Sequence, residues 1–187
     1  MSIPELFARS VAEFDARVEQ IKDDQWHDPT PCSEWDVHAL TNHIVNEARW
    51  VKPLLEGKTI EEVGDSLDGD LLGDDPKGSW RRAKEEELAA TEALGDLDQE
   101  VHVSWGEIPA REYLTQVLVD HTVHAWDLAR AIGADEKLDP ALVDASYEMA
   151  VAVEPMLRAS GAYGDKVDHP AGADLQTKLL GLMGRTV

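Results

Sequence analysis

PAREYLTQVLVDHTVHAWDLARAIG, residues 109–133, is a segment whose apolar side chains recur mostly at steps of three, four and seven residues. This period places them on one face of an α-helix, and Gly133 is a typical residue just beyond a helix end. Pro109 suits the first position because the N–H that proline lacks has no helical partner there. We therefore predict a helix over residues 109–132, with an apolar face formed by Leu114, Val117, Leu118, Ala125, Leu128 and Ile132.

Four other segments have the same helical period. Residues 5–24, 33–56, 79–95 and 140–160 are each predicted to form a helix, and a short helix is expected near 173–183. At the start of the second helix, Ser33 precedes Asp36 by three residues, as in a capping box. Amphipathic helices with short connections predict an all-α fold, an antiparallel four-helix bundle over residues 1–160. Residues 161–187 are predicted to form a short C-terminal tail that packs on this bundle.

Two segments between the helices are predicted to be non-helical. Residues 57–78 combine glycines with aspartates but lack the spacing of a calcium-binding loop, so we predict a solvated surface loop. Val101 and Val103 alternate with polar residues, which predicts a short strand at 101–105 as a minor β feature.

The composition argues against several classes of partner. The chain has 38 acidic and 17 basic residues and a net charge of −21, which repels nucleic-acid phosphates and anionic membranes. No apolar run approaches the roughly 20 residues of a membrane-spanning helix, and the first residues show no basic or apolar leader. We expect a cytoplasmic protein without nucleic-acid or membrane partners. The faces of the predicted helices are compatible with a homodimer.

Three side chains with metal-binding chemistry fall on two of the predicted helices. His43 lies on the second helix, and Asp120 and His124 lie one turn apart on the helix at 109–132. Residues four apart on a helix can reach one ion, and a facing helix can supply a third ligand. Imidazole and carboxylate groups bind zinc, nickel, iron and manganese. The spacing thus allows these residues, which we call the His–Asp–His triad, to hold a divalent metal.

Helical spacing alone does not select the triad. His121 lies nearer the centre of the apolar face, so a His121–His124 pair is an alternative, and so is a His43–Glu47 pair. Asp127, three residues after His124, is a candidate ligand or an acceptor for an imidazole N–H. Equally, the histidines could be buried and hydrogen-bonded without any metal.

Trp50 and Cys32 each allow a structural and a functional interpretation. Trp50 follows His43 by two helical turns and could line a pocket, although core packing explains most tryptophans in this chain. Cys32, the single cysteine, has no partner for an internal disulfide. Its place before a helix N-terminus favours a thiolate, but packing or support of the helix start is the simpler role.

Several stretches resemble one known family. Residues 30–40 (TPCSEWDVHAL), 42–45 (NHIV) and 120–133 (DHTVHAWDLARAIG) are similar to the signatures of the mycothiol-dependent maleylpyruvate isomerase N-terminal domain family. Residues 72–76 (LGDDP) and 105–109 (WGEIP) resemble its connecting segments. The resemblance runs in order along essentially the whole chain and implies a DinB-like metal-binding helical bundle.

The resemblance also implies a ligand set and a cosubstrate. The family's metal ligands correspond to His43, Asp120 and His124, with Asp120 in place of the glutamate of the best-known isomerase. It therefore favours Asp120 over His121 as a ligand. The implied cofactors are a divalent metal ion, zinc or alternatively nickel, and mycothiol, which the metal would bind as a thiolate.

The resemblance implies a thiol S-transferase or isomerase acting on a small electrophile. About 27 residues follow the helix predicted at 140–160, too few for the separate C-terminal domain of the isomerase. We therefore expect transfer to another electrophile rather than maleylpyruvate isomerisation. Two alternatives stay open: a metal-binding module without catalysis, and a metal-dependent hydrolase in which Glu47 or Asp127 assists a metal-bound water.

Overall fold

The structure, a computed structural model, describes residues 1–160 and 165–187, the side chains of residues 155–160 excepted. Within these residues the chain is mostly helical, with seven helices and one small two-stranded sheet. The elements are α1 (Ile3–Val18), α2 (Val37–Leu55), α3 (Ile60–Val63), α4 (Pro76–Ala93), β1 (Glu100–Val103), β2 (Gly106–Pro109), α5 (Ala110–Ile132), α6 (Pro140–Ser160) and α7 (Leu175–Leu182).

Helix α5 is the central helix of the fold. It packs against α1, α2 and α6, while α4 packs on α2 and α7 packs on α6. Residues 121–129 are all buried, although the sequence predicts a single apolar face. A helix enclosed on all sides must bury its polar side chains as well. The polar residues within 121–129 therefore lie inside the protein, where each needs a partner. The antiparallel four-helix arrangement itself stays a prediction.

The start of α2 differs from the prediction because a different residue caps it. The carboxylate of Asp36, not the hydroxyl of Ser33, accepts a hydrogen bond from the Ala39 N–H, and α2 begins at Val37. Residues 29 and 36 form an isolated antiparallel β-bridge, and the chain turns between them at residues 31–34, so Ser33 lies in this turn and not at the start of the helix. The cap satisfies one of the free N–H groups of the first turn.

Other boundaries also differ. Helix α1 ends at Val18 rather than at residue 24, and its capping box begins at Ser2. The predicted loop 57–78 contains the short helix α3 and the first residues of α4, where the Asp75 side chain caps the helix. The predicted single strand at 101–105 is one half of the β1–β2 hairpin. Pro109 ends that hairpin and precedes α5 as its cap instead of being its first residue.

The C-terminal end of α5 and the α6 boundaries agree with the prediction. Gly133 adopts the left-handed conformation at φ 71° and ends α5, and α6 spans residues 140–160. Among the helices of the described residues, none has the length and apolar character that crossing a membrane would require.

Candidate metal centre

The packing of α2 against α5 brings the three side chains of the triad together. The Nε2 atom of His43 lies 2.8 Å from Oδ2 of Asp120, and the Nε2 atom of His124 lies 3.4 Å from Oδ1 of the same carboxylate. The ligand-type atoms of the three residues all lie within 4.8 Å of one another. Two nitrogens and one oxygen at this separation can bind one cation.

The triad is enclosed but open to solvent on one side. The side chains of His43 and Asp120 are 27% and 16% exposed, so small molecules can reach them. The indole ring of Trp35 packs against both imidazoles, 4.7 Å from the ring of His43 and 5.7 Å from that of His124. Trp35, which no spacing or motif in the sequence singles out as a site residue, is therefore a wall of the site. Trp50 is half-buried and packs against the core.

Behind His124, a buried set of polar side chains fixes its imidazole ring. The Nδ1 atom of His124 lies 2.9 Å from Oδ2 of Asp127, which is fully buried. Arg185 donates two hydrogen bonds to this carboxylate, from Nη2 at 2.7 Å and from Nε at 3.2 Å. The thiol of Cys32 donates to Asp127 at 3.4 Å. With Nδ1–H bound to Asp127, the Nε2 atom of His124 faces Asp120.

The charges within this centre shift several pKa values. Burial raises the pKa of Asp120, but the charges of His124 and His43 outweigh burial and hold it well below its usual range. Burial lowers the pKa of His124, but Asp120 and Asp127 outweigh that effect and raise it well above its usual range. In the metal-free protein, His124 and Asp120 thus form an ion pair. A bound cation would take the place of the proton.

Glu47 is the other carboxyl group close to the triad. Burial and the negative charge of Asp120 raise its pKa from 4.5 to about 7, while His43 and His124 act in the opposite direction. It lies one turn after His43 on α2. Within the described residues, it is not a member of any group of three or more metal-ligating side chains.

His121 lies away from the triad, in the apolar core. Its ring packs 5.9 Å from the ring of Phe7 and 6.1 Å from that of Trp80. Burial lowers its pKa to about 4, so the imidazole is neutral near pH 7. The carboxyl group of Glu87 lies 3.8 Å from Nε2. Among the described residues, no group of three or more metal-ligating side chains contains His121, and the alternative His121–His124 pair stays a prediction.

Cys32, His124 and Asp127 form a second group of ligand-type atoms within 4.8 Å of one another. Arg185 donates to the Cys32 sulfur at 3.1 Å and to Asp127, so a guanidinium cation already lies against this group. A metal ion there would meet that positive charge, which favours the His–Asp–His triad as the metal position.

Two surface clefts do not include the triad. A cleft of about 480 Å³ is bordered by Thr30, Pro31 and Arg185, next to Cys32. Another, of about 550 Å³, lies between α2 and α4. Neither is lined by a residue of the triad.

The sequence of this chain matches a known protein family. A model described as the mycothiol maleylpyruvate isomerase N-terminal domain matches residues 7–129. The chain belongs to this family. The matched range contains the whole triad and Asp127, whereas Arg185 lies outside it. The family resemblance of the sequence is thereby confirmed.

Relatives in the family extend over nearly the whole chain. Uncharacterized protein MT0763 and uncharacterized protein Rv0738, from the CDC 1551 / Oshkosh and ATCC 25618 / H37Rv strains of Mycobacterium tuberculosis, are each 30% identical over 185 residues. The alignments cover 96% of this chain and 95% of each relative.

Solved structures of the mycothiol-dependent maleylpyruvate isomerase have the same fold. The crystal structure of that isomerase matches with a TM-score of 0.65 and 16% identity, over 92% of this chain and 79% of the isomerase chain. A crystal structure of an isomerase mutant matches with a TM-score of 0.66 and 15% identity over the same shares.

Proposed function

We propose that this protein is a metal-dependent enzyme that uses mycothiol, with a divalent cation held by His43, Asp120 and His124. The observation that carries the proposal is the convergence of two imidazole nitrogens and one carboxylate oxygen from two packed helices, in a member of this family. This donor set suits zinc, with nickel as the alternative. The proposal assigns the site to a DinB-like four-helix bundle, residues 1–160, with the tail 161–187 packed on it.

The proposed chemistry needs a cation that a thiol can reach. When bound, a divalent cation lowers the pKa of a coordinating thiol and so supplies a nucleophilic thiolate near neutral pH. The residues of this chain orient the two imidazole ligands. Asp127 accepts a hydrogen bond from the Nδ1–H of His124, and Trp35 covers one side of both imidazoles. The exposed side of His43 leaves an approach for a thiol and a small electrophile. The proposed reaction is S-transfer or isomerisation.

A metal-dependent hydrolase is the second candidate, and Glu47 is the observation in its favour. A carboxyl group with a pKa of about 7 beside a metal position could take a proton from water near neutral pH. A metal-binding module without catalysis would show metal binding but neither thiol binding nor hydrolysis. Thiol binding therefore separates the thiol-dependent enzyme from the other two, and a hydrolysis assay separates the hydrolase from the non-catalytic module.

The test begins with the zinc content of wild type, His43→Ala and His124→Ala after reconstitution. His102→Ala, which alters a half-exposed histidine of the β1–β2 hairpin, is the matched control. We expect wild type and the control to hold one zinc ion per chain and the two triad variants to lose it. Stoichiometric zinc in both triad variants would contradict the assigned ligands.

The second measurement is a mycothiol titration of the cobalt-substituted protein, followed by absorption spectroscopy. Coordination by a thiolate should add an intense charge-transfer band in the near ultraviolet. A spectrum that mycothiol leaves unchanged would remove the main support for the thiol-dependent reaction. It would leave the hydrolase and the non-catalytic module.

A further inference from the structure

We infer that Arg185 is a positioning residue of the metal centre, which acts on His124 through Asp127. The inference rests on the proposed metal site. Arg185 belongs to the segment after α7, and its side chain is 10% exposed. Its guanidinium spans both oxygens of the Asp127 carboxylate, at 3.2 Å from Nε to Oδ1 and 2.7 Å from Nη2 to Oδ2.

Asp127 needs this partner because it is fully buried. A buried carboxylate stays ionised only where donors compensate for the lost water. Arg185 supplies two of them, and the thiol of Cys32 and Nδ1–H of His124 supply the others. The planar guanidinium fixes both oxygens of Asp127 and thereby the direction of its bond to His124.

The structure around Arg185 holds its side chain in place. Its backbone N–H donates to the Leu180 carbonyl at 2.8 Å, and Nη1 donates to the Met183 carbonyl at 2.6 Å. On the next residue, the Thr186 carbonyl accepts a bond from Arg130, whose guanidinium lies over the Trp126 ring. Two separate arginines thus join this segment to α5. Arg185 binds Asp127, the hydrogen-bond partner of the ligand His124, whereas the hydrogen bonds of Arg130 go to Glu136 and Thr186.

This difference makes Arg130 the matched control. Arg185→Met removes the guanidinium from Asp127, and Arg130→Met loosens the same segment without touching Asp127. We expect Arg185→Met to lower zinc affinity about tenfold or more, as for other residues that orient a metal-binding histidine. Arg130→Met should change it less than about twofold. Arg185→Lys keeps the charge without the two-pronged geometry and should lie between wild type and Arg185→Met.

The experiment measures zinc affinity by competition with a chromophoric chelator, with thermal unfolding of each variant as a folding check. If Arg185→Met does not fold, the comparison of Arg185→Lys with Arg130→Met decides. Wild-type affinity in Arg185→Met, or an equal loss in Arg130→Met, overturns the inference. If Arg185→Met does not fold, wild-type zinc affinity in Arg185→Lys likewise overturns the inference.

A measurement on the metal-free protein separates this inference from the proposed function. Nitrogen-15 NMR detects the hydrogen-bonded Nδ1–H of His124 directly. We expect this signal in wild type and in Arg130→Met, and its loss or marked shift in Arg185→Met. If wild type binds no zinc, the proposed function fails, and the NMR signal still decides the role of Arg185. An unchanged His124 signal in Arg185→Met overturns the inference.

Discussion

Glu47→Gln is expected to stabilise the metal-free protein at alkaline pH. Burial and the charge of Asp120 raise the pKa of Glu47 from 4.5 to about 7. A carboxyl group that binds its proton more tightly in the folded than in the unfolded state favours folding below pH 4.5. That contribution is lost as the pH rises from 4.5 to about 7, because the unfolded state releases the proton first. Above this range the ionised Glu47 destabilises the fold.

The magnitude follows from the two pKa values. At about 1.4 kcal/mol for each pKa unit, the difference between 4.5 and about 7 corresponds to about 3 kcal/mol. Glutamine has the shape of the protonated carboxyl group and cannot ionise. Glu47→Gln should therefore raise the free energy of unfolding by about 3 kcal/mol at pH 8 and by less than about 0.5 kcal/mol at pH 4.5.

Zinc should reduce this difference. A bound divalent cation attracts the ionised carboxylate and offsets the repulsion from Asp120, which lowers the pKa of Glu47. With saturating zinc at pH 8, we expect the advantage of Glu47→Gln to fall to about half or less of its metal-free value. The change between the two conditions measures the interaction between Glu47 and the cation.

The assay is urea unfolding at pH 4.5, 6 and 8, with and without zinc. Glu148→Gln, at an exposed position of α6, is the control and should stay within about 0.5 kcal/mol of wild type at each pH. The reasoning is refuted if Glu47→Gln is no more stable than wild type at pH 8, or if its advantage is the same at all three pH values. An advantage that zinc leaves unchanged would place Glu47 outside the influence of the metal.

Three other properties can be predicted. Zinc binding at pH 7 should release between about one and two protons, because the raised pKa of His124 means that its ligand nitrogen must lose a proton and because the cation lowers the pKa of Glu47. A calorimetric enthalpy independent of buffer ionisation would contradict this. Glu87→Leu should raise the free energy of unfolding by about 1–4 kcal/mol at pH 8, since neither oxygen of this fully buried carboxyl accepts a hydrogen bond from a described residue and burial raises its pKa. The gain should shrink towards pH 4.5, where wild-type Glu87 is protonated in the folded state and about half protonated in the unfolded state, and lower stability at both pH values would disprove it. Gly181→Ala should lower the free energy of unfolding by about 1–3 kcal/mol, because the added Cβ would lie 2.6 Å from the Val167 carbonyl oxygen. Gly95→Ala serves as the control because its Cβ would meet no atom within 4 Å. Equal unfolding midpoints for the two variants would contradict the prediction.

The sequence predicted those parts of the fold that depend on local interactions. The period of apolar residues located α2, α5 and α6, and Gly133 marked the end of α5. Helix formation and capping involve residues within one or two turns, so their signals are present in short segments. The start of α2 was predicted wrongly because two acceptable caps, Ser33 and Asp36, stand three residues apart. The β-bridge between residues 29 and 36 decided between them.

The sequence by itself also determined the family and predicted the three side chains of the triad, because the motifs that indicate both lie within short segments of the chain. Which imidazole faces the site was decided by the tertiary structure: His124 meets Asp120 and Asp127, while the packing of Phe7 and Trp80 encloses His121. The bond between Arg185 and Asp127 joins positions 58 residues apart, and no local pattern marks it. Such a contact exists only once the helices have packed, since folding alone brings those charges together and removes them from water.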